Sequence, residues 1–138
     1  MNQVFVHEQL VRFSHCDPAA IVYFPRLFDM AHAAMEEWFL RGLERPLASL
    51  IRERRIGTPT VTIQGEFLKP LRMGDWLRFE LRVAKLGNAS VRLVYSGRKD
   101  AAEHFRISQT IAFMSLETGA AIPVPADLRP RIEAYLAG

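Results

Sequence analysis

One apolar stripe at helical spacing, followed by four alternating segments, does most to limit what this chain can become. From Pro25 onward, Leu27, Phe28, Ala31, Ala34, Met35, Trp38 and Phe39 recur mostly three and four residues apart, while Arg26, Asp29, Glu36 and Glu37 fill much of the rest. That spacing predicts an amphipathic helix of about four turns. Proline suits its first turn, where an N–H has no intrahelical acceptor, and Gly42 suits its end. The stripe carries enough bulk on one side to lie buried against a sheet. Downstream, "TVTIQGEFL", "DWLRFELRVAKL", "ASVRLVYSGR" and "HFRISQTIAFMSL" alternate with a period of two, and "KPLRMGD", "GN" and "KDAAE" between them carry turn residues. Residues 3 to 14 read as an opening strand, Pro46 to Arg55 as a short second helix, and the tail from Pro123 as a turn and a short last helix.

The order is a strand, one long helix, then four consecutive strands. Tight turns between consecutive strands predict antiparallel neighbours. A single apolar helix predicts that one face of the sheet wraps around it, an α+β arrangement. Val, Leu, Phe and Tyr fall on more than one phase of the strands, so the other face is expected to be covered by a second subunit. With 138 residues, no repeat and no linker, the chain is expected to be one domain spanning residues 1–138.

A single cysteine, Cys16, permits no intrachain disulfide and suits a reducing cytoplasm. "MNQVFVHEQLVRF" at the N-terminus lacks the basic start and apolar core of a secretion signal, so a cytoplasmic location is expected. No membrane span is expected, because no window approaches the roughly 18 apolar residues one requires. Net charge is +3, but the cations interleave with acids and apolar residues in "RERR", "RFELRV" and "RKDAAEHFR". Interspersed charge argues against a nucleic-acid stripe and leaves room for a small phosphorylated polyanion.

Chemically capable side chains concentrate in "FSHCDPAAIVYFP", residues 13–25. Adjacent residues of an extended chain point to opposite faces, so His15 and Cys16 are badly aimed as a dyad. Cys16 is expected to be a buried, inert thiol. His15 and Asp17 share a face and can pair. The histidines His7, His15, His32 and His104 show no metal-binding spacing, and no metal is expected. Asp17, just before a proline and an apolar run, is either a turn residue or a working group. The long helix starts a few residues later, and its free N–H groups can hold an oxyanion. A carboxylate beside a helix N-terminus joins a base or nucleophile to a donor for developing negative charge, which suits ester and thioester hydrolysis.

"CDPAAIVYFPRLFDMAHAAMEEWF" resembles the signature of the 4-hydroxybenzoyl-CoA thioesterase family, and "IGTPTVTIQGEFLKPLRMGDWLRFELRVAKLG" resembles that family's strand–turn–strand layout. The resemblance covers nearly the whole chain. It implies the hot-dog fold, a long central helix wrapped by a curved antiparallel β-sheet. It also implies an acyl-CoA thioesterase acting on an aromatic or short- to medium-chain acyl group. Asp17 would attack the thioester carbonyl or activate a water. The Phe24 backbone N–H, in a turn shaped by Tyr23 and Pro25, would hold the oxyanion. Active sites of the family lie at a dimer interface, so strand residues from Thr58 to Glu66, Gly65 among them, are implied in the partner's acyl pocket. A homodimer assembled into a homotetramer is expected, with acyl-CoA as small-molecule partner and no cofactor beyond water.

Some positions depart from the family's pattern. Ala20 stands where many relatives have glycine, and Phe24 where a related branch has histidine. His32 occupies a position where aromatic-acyl members can carry a carboxylate toward the substrate phenol. A basic run that can grip CoA phosphate is replaced by Gly87, Asn88 and Ala89. Lys85, Arg54 and Arg55 are the substitute cations, and Asn88 and Ser90 join Lys85 as expected substrate contacts. Glu66 is either a polar pocket residue or a solvent-facing carboxylate. Two other readings stay open: a non-catalytic acyl-CoA or acyl-carrier binding module, and an enoyl-CoA hydratase-like enzyme using His15 with Asp17.

Overall fold

The computed structural model describes residues 2–137. Strand β1 (Phe5–Leu10) leads through a 3₁₀ turn at Phe13–His15 into helix α1 (Pro25–Glu37), which ends in one wide π turn over Trp38–Gly42. Helix α2 (Leu47–Arg52) follows, then β2 (Ile56–Gly57), β3 (Thr60–Phe67), β4 (Trp76–Leu86) and β5 (Ser90–Lys99). The chain closes with β6 (Ala102–Ala112), β7 (Met114–Ser115) and helix α3 (Arg129–Glu133). The long strands make one antiparallel sheet in the order β1-β4-β5-β6-β3, while β2 and β7 pair separately.

The apolar stripe of α1 is buried as its spacing requires. Leu27, Met30, Ala31, Ala34 and Met35 are buried, and Trp38 and Phe39 continue the buried line through the π turn. The same core takes in Leu77, Phe79, Leu81 and Val83 of β4, Leu93 and Tyr95 of β5, and Phe105 and Ile107 of β6. Burying each large side chain is worth about 1.5–3 kcal/mol, so the helix–sheet contact is the main source of stability. Gly97 lets the sheet close on itself: a Cβ there would run into the Phe105 ring, and the β5–β6 register shifts between Gly97 and Arg98. The expected α+β hot-dog arrangement is the one observed.

Several details differ from the sequence reading. The opening strand stops at Leu10, because the Arg12 N–H donates to His15 Nδ1 (2.9 Å) and the Cys16 N–H to the Phe13 carbonyl (3.0 Å), closing a turn. Helix α2 ends at Arg52, and Arg55 takes a φ of 54° that no helix continues through. β3 does not neighbour β4. Both edges of β4 are taken, by β1 and β5, so β3 pairs with β6 at the far side of the sheet. The outer face is polar rather than apolar. It carries Arg78, Arg82, Arg92, Arg98 and Arg106, with Glu80 held between Arg78 (3.3 Å) and Arg82 (3.7 Å). One group of exposed apolar side chains sits on and beside the edge strand β3, Val61, Ile63, Phe67 and Leu68, with Tyr23 and Phe24 at the start of α1; Phe13, Leu40, Ile51, Met73 and Trp76 are exposed elsewhere. No helix among the described residues is long and apolar enough to cross a membrane.

Asp127 pins the C-terminal segment to the α2 region. Its carboxylate accepts from Arg54 (2.9 and 3.0 Å) and Arg45 (2.8 Å), and these two guanidinium groups hold its carboxyl far below the ordinary carboxylate range. A folded value below the unfolded one stabilises at neutral pH, and that stabilisation is lost as pH falls through the carboxylate range. Solvent screens all three side chains, which are 34–38% exposed. Asp127→Asn is expected to cost about 1 kcal/mol at neutral pH, roughly 3–5 °C in thermal midpoint. Thermal unfolding of both proteins should show that gap shrinking as the pH is lowered from about 5 toward 2.

Candidate active site

Residues 15 to 23 form a small hairpin just ahead of α1. Cys16 and Val22 face each other in an antiparallel bridge, the Asp17 N–H donates to the Ile21 carbonyl (2.9 Å), and the Tyr23 N–H to the His15 carbonyl (2.9 Å). The hairpin is tied to the β3–β4 connection by the Val22 N–H on the Leu71 carbonyl (2.8 Å) and the Met73 N–H on the Ala20 carbonyl (3.1 Å). The chain leaves this hairpin straight into the helix. Asp17 is thereby held close to where α1 begins.

Asp17 plays a turn role with one oxygen only. Its Oδ1 accepts from the N–H of Ala19 (2.9 Å) and of Ile21 (3.4 Å), as an aspartate commonly does in a tight loop. Among the described residues nothing bonds its second carboxylate oxygen. At the helix start Pro25 has no N–H, and the N–H groups of Arg26 and Leu27 turn back to the carbonyls of Tyr23 (2.8 Å) and Phe24 (3.0 Å). No acceptor among the described residues takes the Phe24 N–H. A free donor therefore stands at the positive end of a 13-residue helix.

An aromatic run flanks this point. Ring centroids lie 5.9 Å apart for Tyr23–Phe24, 5.5 Å for Phe24–Phe67 and 5.9 Å for Phe28–Phe67. Gly65 makes room for it, since a Cβ there would stand 2.8 Å from Phe67 and 3.1 Å from Phe28. Beside the run is a cleft of about 190 Å³ lined by Val22, Phe24, Leu27, Phe67, Leu68 and Pro70. The sequence reading did not single out Phe67 and Leu68. Their signal is two apolar residues ending an edge strand just before "KP".

The remaining candidates divide by where the fold leaves them. His15 does not pair with Asp17: its Nδ1 accepts from Arg12, and burial, then the charges of Arg12 and Arg26, lower its pKa. Cys16 is half-buried rather than fully so, and burial and the Asp17 charge raise its pKa, which favours the unreactive thiol. Arg54 is committed to Asp127, whereas Arg55 is exposed. His32 is exposed on α1, and Glu66 is exposed across from Arg106 on the outer face. Thr58 precedes the far end of β3, about 30 Å from Phe67 at roughly 3.3 Å per strand residue. Lys85 and Ser90 come together with Arg92 and Thr110 around a depression of about 100 Å³, and Asn88 lies in the adjoining turn with its carbonyl on the Val124 N–H (2.8 Å).

Strand register separates these residues into two groups. Phe67 aligns with Phe105 and Gly97 at one end of the sheet, beyond which lies the Asp17 hairpin. Thr60 aligns with Ile111 and Val91 at the other end, where Lys85, Asn88 and Ser90 cluster. A single chain does not bring the two groups together.

A family description, the thioesterase-like superfamily, matches residues 11–132. The chain belongs to that superfamily. It thus shares the hot-dog fold and the thioester-hydrolase class that its sequence resemblance implied. The chain is similar to a 1,4-dihydroxy-2-naphthoyl-CoA hydrolase of Thermosynechococcus vestitus, 28% identical over 123 residues covering 88% of this chain and 84% of the relative. It is also similar to a 4-hydroxybenzoyl-CoA thioesterase of Pseudomonas sp., 34% identical over 81 residues that span 58% of this chain and 57% of the relative. Among solved structures, a thioesterase superfamily protein from Jannaschia sp. superposes with a TM-score of 0.92 at 26% identity, covering 100% of this chain and 96% of the other.

Ala20 has a φ of 61°, in the left-handed region. Alanine there costs about 1 kcal/mol relative to glycine. Ala20→Gly is expected to raise the thermal midpoint by roughly 3 °C with thioester hydrolysis retained. Thermal unfolding and a thiol-release assay on the same preparation check both parts.

Proposed function

We propose that this thioesterase hydrolyses acyl-CoA, preferring aromatic acyl groups to short and medium straight chains. The observation that carries the reading is one hairpin presenting an uncommitted Asp17 oxygen and a free Phe24 N–H at the start of α1. The rings of Tyr23, Phe24, Phe28 and Phe67 beside the adjoining cleft support a flat acyl group, since offset and edge contacts between rings favour aromatic guests. The relatives named for naphthoyl and hydroxybenzoyl thioesters support the same choice.

Asp17 has two ways to act. As nucleophile, its free oxygen adds to the carbonyl carbon, and the displaced electron pair on the carbonyl oxygen is held by the Phe24 N–H. The intermediate collapses with cleavage of the C–S bond, and CoA leaves as a thiolate that takes up a proton. Water then opens the acyl–Asp17 anhydride and restores the carboxylate. As general base, Asp17 instead takes a proton from the attacking water, and the same donor holds the oxyanion. Each route consumes one water, releases a carboxylic acid and CoA, and needs no cofactor. One preorganised donor of this type is worth about 2.7–4 kcal/mol of barrier. Aryl substrates with a phenol would meet His32 in place of a carboxylate.

The active unit in this proposal is a homodimer. A second copy running antiparallel along the edge strand β3 would bring one protomer's Thr58, Lys85, Asn88 and Ser90 to its partner's Asp17. The open edge of β3 and its exposed Val61, Ile63 and Phe67 support that seam. Lys85, Ser90 and Arg92 would then face the CoA phosphates, pairing of dimers into a homotetramer follows the family resemblance, and the single cysteine suits a cytoplasmic setting. The hydratase reading fares worse, because it needs a His15–Asp17 pair, and His15 Nδ1 accepts instead from the Arg12 N–H (2.9 Å) with no bond between the two side chains among the described residues. A module that only binds gives no account of the free carboxylate.

Asp17→Asn is expected to lower kcat by roughly 10²–10⁴ while KM changes little. Thiol release from benzoyl-CoA and hexanoyl-CoA reads both the loss and the acyl preference. Undiminished turnover would remove Asp17 from the mechanism, and a higher kcat/KM for hexanoyl-CoA in the parent protein would overturn the aromatic assignment.

A further inference from the structure

Concavities larger than the aromatic cleft lie elsewhere among the described residues. At the opposite edge of the sheet a groove of about 390 Å³ runs between β1, the second half of α1 and the start of α2. Its apolar side includes Leu40 and Leu47, and its polar side is formed by His7, Gln9, Glu36 and Glu37. The volume falls in the range of about 300–1,000 Å³ typical of small-molecule sites.

The polar atoms there are unevenly employed. His7 lies opposite Phe79 in the strand pairing, with ring centroids 6.3 Å apart. Its Nε2 is buried and has no hydrogen-bond partner among the described residues. Leaving such an atom unsatisfied costs about 1–3 kcal/mol, so native proteins seldom do so without a water or ligand to fill the place. Burial also lowers the His7 pKa, with the Glu37 charge and the Gln9 side chain opposing it and the Arg41 charge adding to it; this favours the neutral ring, in which one nitrogen can accept. Gln9 donates its amide N–H to the Leu10 carbonyl (2.9 Å), and its side chain also faces the His7 ring, whose charged form it favours. Glu37 is matched by Arg41 (2.8 Å), whereas Glu36 has no ion-pair partner among the described residues. What remains is one unpaired negative charge on Glu36 and one buried, unpartnered ring nitrogen on His7, facing an apolar wall.

We propose that this groove is a second ligand site, separate from the Asp17 hairpin, for a small organic ammonium ion with an apolar body. The ammonium group would donate to Glu36 and His7 Nε2 while the body covers Leu40 and Leu47. A carboxylate would be repelled by Glu36 and Glu37, and a neutral alcohol would forfeit the charge-assisted bond. The site stands whether or not the thioester reading does, because nothing in it touches Asp17 or Phe24.

The test is an NMR titration of the full chain with 2-phenylethylammonium at neutral pH, beside 3-phenylpropionate and 2-phenylethanol. The expected result is a saturable shift of the His7 imidazole signals by the amine, with both controls binding at least roughly tenfold more weakly. Glu36→Gln, an exposed change that leaves the fold intact, should weaken the amine by roughly tenfold and leave benzoyl-CoA hydrolysis at the parent rate. His7→Phe should weaken it likewise. Absence of a saturable shift would mean that only water satisfies Nε2. Equal binding of the three probes, or a Glu36→Gln protein that binds the amine as well as the parent, would also overturn the proposal.

Discussion

Everything else in this molecule hangs on the burial of one helix face in the hollow of one sheet. Ala34, Met35, Trp38 and Phe39 are wholly removed from water, as are Phe79, Tyr95 and Phe105 of the sheet. That contact fixes the helix axis and therefore the point in space where the helix begins. The curvature it needs is supplied by the sheet, which Gly97 allows to close over Phe105. The buried Tyr95 hydroxyl is satisfied within the core, donating to Gln109 (2.6 Å), whose amide in turn reaches Thr60 (2.8 Å). A polar chain of this kind ties β5, β6 and β3 to one another without leaving a donor orphaned.

Where the helix begins decides what the preceding loop can do. The hairpin of residues 15–23 is short, crossed by backbone bonds at both strands and sewn to the β3–β4 connection. It has little freedom to move Asp17 away from the helix start. The loop spends Oδ1 on its own backbone, and the strained alanine at position 20 shows that the turn shape is kept at some energetic cost. Proline at position 25 removes one N–H, and two others fold back, which leaves the Phe24 N–H without an acceptor among the described residues at the start of the helix. Position and electrostatics come from the same few residues.

The sequence announced the helix because its burial is one-sided and its period is local. It announced the strands for the same reason. Strand order was less legible, since pairing β3 with β6 rather than β4 is decided by which edges are already occupied, and no local pattern records that. The polarity of the outer face was misread because Val94 and the residues of β3 raised the apolar share on the second phase, while the arginines that dominate that face look like ordinary surface charge. Asp17 was legible as a candidate through the proline and apolar run that follow it, and Phe24 as a candidate through the family resemblance. The unpartnered ring nitrogen of His7 was not, because an unsatisfied atom is a property of packing. Arg54, a candidate phosphate cation by sequence, is committed to Asp127, which lies 73 positions away.

The most direct measurement of the central claim is a crystal structure with a ketone analogue of an aryl-CoA thioester, in which methylene replaces the attached sulfur and hydrolysis cannot occur. The account predicts the ketone oxygen about 2.7–3.1 Å from the Phe24 nitrogen, with the free oxygen of Asp17 facing the carbonyl carbon and the aryl ring beside Phe67. A carbonyl bound out of reach of both groups would contradict it.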